Sequence, residues 1–321
     1  MEGGPAIAVV VLGAGRSGTS AITRALQAIG VELGDDLRPG GGKNPTGFFE
    51  DQALLELNKR LKRALGIRGD SVRLIEPREW DAPAVRTLRE RAGETIRERF
   101  GRMPLWGYKY GRTLRLLPFW RAVYEELGLD VRYVVALRNP LSVARSRSAL
   151  DERRGTQEKS DLEWLVNVVP YLRDVRERPF VVVDYDLVMG EPAPQLERIA
   201  ARLHLPRGPA FAESVRAYAE EFLRPGMRHS RFTADDLARD QRANPWTRRG
   251  YLWLHRLATD SADPSDPQVW DEWEPIERAV ADLSGVLSHV DRVEDDLRRA
   301  QRSLLGPLQL APRIWRKLRS G

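Results

Sequence analysis

Ala6-Ile7-Ala8-Val9-Val10-Val11-Leu12-Gly13-Ala14-Gly15-Arg16-Ser17-Gly18-Thr19-Ser20 is the stretch on which the fold turns. Ala6 to Leu12 is a short apolar run rich in β-branched residues, which predicts a buried parallel strand. A glycine-rich turn follows, and then Ala21, Ile22, Ala25, Leu26 and Ile29 fall at helical spacing. Strand, glycine turn and helix together aim backbone N–H groups and a helix N-terminus at an anion. Gly13 and Gly18 occupy the two glycine positions of the phosphate-loop pattern G-x-x-x-x-G-K-[ST], and Ser20 its hydroxyl position. Thr19 stands where the lysine belongs, and the cation has moved into the loop as Arg16. That arrangement suits an anion with less charge to neutralise than a magnesium-bound triphosphate.

Outward from this loop, Val131 to Leu137 reads as a second buried strand and ends in Arg138-Asn139-Pro140. Pro140 fits the first turn of a helix, where its missing N–H costs nothing. Ser146 lies two helical turns further on, so the guanidinium of Arg138 and a hydroxyl can converge on one phosphate. An ATPase would end such a strand in an aspartate for magnesium; this one ends in arginine. Leu105 to Lys109 and Phe180 to Asp184 are two more strand candidates, and Ser71 to Ile75 is a short one. Helices are expected over Asp51 to Leu65, Pro83 to Phe100, Thr113 to Leu127, Asp161 to Arg176 and Pro194 to Leu203. Strands alternating with helices indicate an α/β fold, a parallel sheet flanked by helices, with ligands beyond the carboxyl ends of the strands.

The chain of 321 residues is long enough for one large α/β domain plus extras. It has no cysteine and four histidines, which excludes disulfides and thiolate metal sites and makes a metalloenzyme a poor reading. A formal charge of +6 suits anionic ligands. Arginine is spread along the chain without a nucleic-acid module signature, so no nucleic-acid partner is expected. The first apolar run is far shorter than a membrane span, no basic segment precedes it, and a cytoplasmic protein is expected.

Gly13 to Ser20 resembles the 5′-phosphosulfate loop of sulfotransferases that use 3′-phosphoadenosine 5′-phosphosulfate (PAPS). Arg138-Asn139-Pro140 with Ser146 resembles the 3′-phosphate motif of the same family. Three further segments are similar to its bacterial branch: Asn44-Pro45-Thr46-Gly47-Phe48-Phe49-Glu50; Lys109-Tyr110-Gly111-Arg112 with Leu117-Pro118-Phe119-Trp120; and Asp184-Tyr185-Asp186-Leu187. Tyr110 and Gly111 depart from the Asp-Pro of the family pattern. The resemblance spans about residues 6–205. It implies a phosphate-loop, sulfotransferase-like domain over 1–255 that moves a sulfonate from PAPS to a hydroxyl, with adenosine 3′,5′-bisphosphate (PAP) as product and no metal. Gly15, Arg16, Ser17, Gly18, Thr19, Ser20, Arg138 and Ser146 would hold the nucleotide. Arg228, in the basic cluster Met227 to Arg231, is a further contact. Glu50 is the expected base, in an apolar site against Phe48 and Phe49 that would raise its pKa, with Asp51 as fallback. Arg16 and Lys109 would stabilise charge on the leaving group, while Asp184 reads as structural. The acceptor is expected to be a small molecule or glycan, with a carbohydrate or glycolipid favoured.

The polar, Asp- and Pro-rich stretch inside 256–272 predicts a linker, followed by a helical C-terminal extension over 273–321 with a basic tail. Ile276, Val280, Leu283, Leu287, Val290, Val293 and Leu297 keep three-and-four spacing, so one long amphipathic helix is expected, packed on its own domain or forming a homodimer seam. In the tail, Ile314, Trp315 and Leu318 share a face among four basic residues (Arg313, Arg316, Lys317 and Arg319), which suits peripheral contact with an anionic membrane surface. Trp246, Tyr251 and Trp253 read as core packing rather than an acceptor cleft. Two alternatives stay open: a small-molecule or nucleotide kinase with a divergent phosphate loop, which would need ATP and magnesium, and a non-catalytic nucleotide-binding scaffold.

Overall fold

The computed structural model describes residues 6–41, 47–222 and 232–318, excepting the side chains of 221–222 and 304–318. Four strands, β1 (Ile7–Gly13), β2 (Leu105–Lys109), β3 (Asp130–Leu137) and β4 (Phe180–Asp184), form one sheet in the order β2-β1-β3-β4. Every pairing is parallel. The continuous β-branched runs suit this arrangement, because a parallel strand covered on both faces needs apolar side chains at every position. Val9 and Val11 pack one way, with Ile22, Ala25 and Leu26, and Ala8, Val10 and Leu12 the other.

Helices α1 (Thr19–Ala28), α2 (Gln52–Ala64), α3 (Pro83–Phe100), α4 (Leu117–Glu126), α5 (Pro140–Ser148), α6 (Gln157–Leu172), α7 (Tyr185–Gly190) and α8 (Pro192–Arg202) interleave with the strands. One face is covered chiefly by α1 and α8, and the other by the larger core to which α2, α3, α4 and α6 contribute. The register aligns Gly13 with Ala136 and Leu137 with Asp184, so the loops after β1, β3 and β4 open on one edge.

Beyond α9 (Phe211–Ala217) and α10 (Ala234–Arg239), the chain continues through α11 (Pro245–Ala258), α12 (Pro267–Asp271), α13 (Glu274–Asp282) and α14 (Ser284–Leu318). Both ends of the stretch expected as a linker pack into the larger core, while most of 259–268 is exposed. Leu257, Ala258, Trp270 and Trp273 are all buried there, with Trp253 5.1 Å from Trp270 and 4.8 Å from Trp273 between ring centres. The single long helix expected after it is broken at Leu283. Ile276, Val280 and Leu287 face inward, while Val286, Val293 and Leu297 are exposed. Helix α14 is held by Leu287, buried with Val72 and Val166, and by polar contacts: Asp291 accepts from the Val72 N–H at 2.7 Å, and Lys159 and Arg68 pair with Glu294 and Asp295.

Those contacts also explain why Ser71 to Ile75 forms no strand. Its carbonyls at Ser71 and Arg73 each accept from Arg115 at 2.6 Å, and Asp291 takes the amides of Val72 and Arg73. Side chains satisfy the backbone groups that a ladder would otherwise use. The tail is helical to Leu318 as part of α14; the side chains expected at a membrane surface lie outside the described residues.

Candidate functional site

The loop after β1 is shaped by residues that the local backbone requires. Gly13 adopts φ 150°, and a Cβ there would sit 2.9 Å from the Ala136 carbonyl oxygen. Gly18 adopts φ 80°, and a Cβ there would meet the Tyr185 ring at 2.2 Å. Arg16 also lies in the left-handed region, at φ 77°, a conformation that costs a non-glycine residue of order 1 kcal/mol and clusters at functional sites. Helix α1 then starts at Gly18 with no side-chain cap and no acidic residue in its first turn. The Ser17 hydroxyl is buried without a partner among the described residues. Uncapped N–H groups and an unsatisfied hydroxyl at one helix start are what a bound anion would complete.

Thr19, at the lysine position of the phosphate-loop pattern, is buried with its methyl turned towards Gly13, 3.6 Å from where a Cβ on that glycine would lie. The position is used for packing, so Arg16 is the loop's only cation. Ser20 donates to the Phe48 carbonyl at 3.4 Å and ties α1 to the segment leading to Glu50.

The second sequence motif meets the first directly. Arg16 Nε donates to Ser146 Oγ at 3.0 Å, and Arg138 reaches the Arg16 carbonyl at 3.4 Å while stacking over the Tyr185 ring at 4.5 Å. Burial and the like charge of Arg138 lower the pKa of Arg16. Asn139 caps α5 through Leu141 N and donates to the carbonyls of Phe232 and Thr233, which brings that part of the chain to the end of β3. Arg228 and Asn44 to Thr46 lie outside the described residues.

Glu50 and Lys109 are in contact. Lys109 Nζ lies 3.0 Å from Glu50 Oε1, and Arg38, over the Phe48 ring, holds Oε2 at 3.1 Å. To the apolar surroundings expected for Glu50 the structure adds two cations. Burial lowers the pKa of Lys109 against the opposing pull of Glu50. Phe49 at φ 53° and Gly47 at φ 105° turn the chain so that Glu50 faces inward. The fallback base, Asp51, has a structural role: it caps α2 at Leu54 N and pairs with Arg99. Asp184 likewise caps α7, accepting from Asp186 N at 2.7 Å.

Sequence reasoning missed a buried ion cluster behind the loop. Arg147 donates to the Gly15 carbonyl at 3.3 Å and pairs with Glu163 at 3.0 Å; Arg154 pairs with the same carboxylate at 2.7 Å. Nothing in the local pattern around Arg147 distinguishes it from the exposed Arg145 beside it, since only the packing of α5 on α6 turns one inward. Nearby, Asp161 accepts from Gln157 and from Asn244 N, each at 2.7 Å, and burial pushes its pKa up to about 6.

No family model matches the chain, and no curated protein does. Among solved structures, it is similar to the sulfotransferase STF1 from Mycobacterium tuberculosis at 15% identity and a TM-score of 0.40, over 68% of this chain and 72% of that one. It is also similar to the sulfotransferase domain of the Synechococcus PCC 7002 olefin synthase at 16% identity and a TM-score of 0.42, over 81% of this chain and 96% of that one.

Proposed function

We propose that this chain is a sulfotransferase that moves a sulfonate from PAPS to a hydroxyl acceptor. The observation that carries the reading is the Arg16–Ser146 hydrogen bond, which draws the anion loop and the β3-end motif into one cationic cradle. Two phosphates of one nucleotide would divide that cradle: the 5′ end on the loop amides with Ser17, Gly18, Thr19 and Ser20, and the 3′-phosphate on Arg138 and Ser146. Arg16, between them, would release Ser146 to the phosphate and turn to the bridging oxygen. The reading calls for no metal, because a sulfuryl ester carries a single charge that fixed cations and amides can balance.

In the transfer, the acceptor oxygen forms a bond to sulfur as the bond from sulfur to the 5′-phosphate oxygen breaks, and PAP leaves with that electron pair. Glu50 would take the hydroxyl proton on Oε2, the oxygen that, among the described residues, is held by the half-exposed Arg38. Lys109 keeps Oε1 fixed, so one oxygen is oriented while the other reacts. The acceptor is proposed to be a carbohydrate or glycolipid, and the basic end of α14 to rest on an anionic membrane surface. Co-sedimentation with anionic vesicles, compared with a chain ending at Leu305, tests the latter; equal binding by both removes it.

Thermal shift tests the nucleotide assignment. PAP should stabilise the protein without magnesium, and more than ATP does. Stabilisation by ATP that depends on magnesium, with no response to PAP, would move the assignment to a kinase.

A further inference from the structure

Arg112 stands at the mouth of the phosphate loop between two glycines. A Cβ on Gly15 would lie 3.9 Å from its terminal nitrogen, and one on Gly69 would lie 3.5 Å from the same atom. Both are ordinary van der Waals distances, so the guanidinium lies directly beside the backbone of the loop at Gly15 and beside Gly69. It makes no ion pair or hydrogen bond with any described residue, although most nearby arginines do.

The carboxylates around it are engaged by other arginines. Arg147 and Arg154 share one carboxylate, Glu163, which is fully out of solvent and spends both oxygens on them. Asp70 is taken by Arg298 and Arg68. Like charge from Arg112 and Arg154 adds to burial in bringing the Arg147 pKa down to about 10. A planar cation, partly exposed beside a loop shaped for an anion and without a carboxylate partner among the described residues, is suited to an oxyanion from outside the chain.

We propose that Arg112 binds an oxyanion seated in front of the loop, separate from the two nucleotide phosphates. It rests on the sulfotransferase reading, in which two sources supply that chemistry: the sulfuryl group of the donor, or an acidic group on the acceptor. Arg112 is then a substrate-binding residue, and its fork sets which substrates the site prefers.

The test titrates inorganic sulfate into PAP-saturated protein. The wild type should bind sulfate on top of PAP, and Arg112→Ala should weaken sulfate by roughly tenfold or more with PAP affinity unchanged. Arg112→Lys should recover part of the loss, since it keeps the charge without the fork. Equal sulfate affinity in wild type and Arg112→Ala overturns the proposal, as does a wild type that binds no sulfate. Should Arg112→Ala melt early, Arg112→Gln carries the same comparison. A PAPS-over-PAP preference that disappears in Arg112→Ala identifies the sulfuryl group as the source; a preference that survives, with weaker binding of acidic sugars, identifies the acceptor. A wild type that ignores PAP contradicts the donor assignment alone, and sulfate titration of the nucleotide-free protein still decides the role of Arg112.

Discussion

Lys109 Nζ sits 3.0 Å from Glu50 Oε1, with both side chains almost completely withdrawn from solvent. Two charges so placed depend on each other, because a buried ion left without its partner costs several kcal/mol. Lys109→Met should therefore destabilise the fold by about 3 kcal/mol, and Glu50→Leu by a similar amount. The double variant should recover a large part of the loss, with a coupling of about 1 kcal/mol or more in a denaturation cycle. Additive losses would mean that the pair is not coupled.

Glu50→Gln separates the structural from the chemical role. The amide oxygen still accepts from Lys109, so PAP affinity should hold, while turnover falls roughly a hundredfold, the usual worth of a positioned base. A fall of less than about tenfold would place the base elsewhere, and Asp51 is already occupied by Arg99 and the α2 cap.

Arg16 and Gly18 share left-handed backbone but differ in what a substitution does. Arg16→Gly suits φ 77° and should leave stability within about 1 kcal/mol while PAP binding weakens at least tenfold. Gly18→Ala has no such freedom, with the Tyr185 ring 2.2 Å from the new methyl, and should cost about 2 kcal/mol or more. Melting curves beside PAP titrations read both, and a collapse of Arg16→Gly would mark Arg16 as structural.

Asp161 gives the stability a pH dependence of definite sign. Its folded pKa of about 6 lies above the unfolded value of about 3.9, so the folded state holds the proton more tightly between them. The contribution to stability is full below pH 4 and is lost as pH rises through 6, by at most about 3 kcal/mol. Asp161→Asn removes this, so its melting temperature should gain on the wild type from pH 4 to 7. A constant difference across that range would contradict the assignment.

The strands were legible because unbroken β-branched runs admit few other readings, and the glycines because the turns they permit are local. The departures share one cause, long-range partners. Ser71 to Ile75 has strand composition, yet Arg115 and Asp291 claim its backbone groups. Asp and Pro between residues 256 and 272 resemble a linker, but Trp270 and Trp273 bury against Trp253. Glu50 was recognisable by its place after a glycine loop, whereas its two cations come from 12 and 59 residues away. Arg112 lies inside the Lys109 to Arg112 segment, and only the fold places it beside Gly15 and Gly69, with no carboxylate partner among the described residues.

The most direct test of the two-phosphate cradle compares PAP with adenosine 5′-monophosphate by calorimetry, in the wild type and in Arg138→Ala. A charge-assisted hydrogen bond contributes about 1.5–3 kcal/mol, so Arg138→Ala should weaken PAP roughly 10- to 100-fold and leave the monophosphate almost unchanged. Equal losses for both nucleotides, or none for PAP, would contradict the assignment of Arg138 to a 3′-phosphate and with it the sulfotransferase reading.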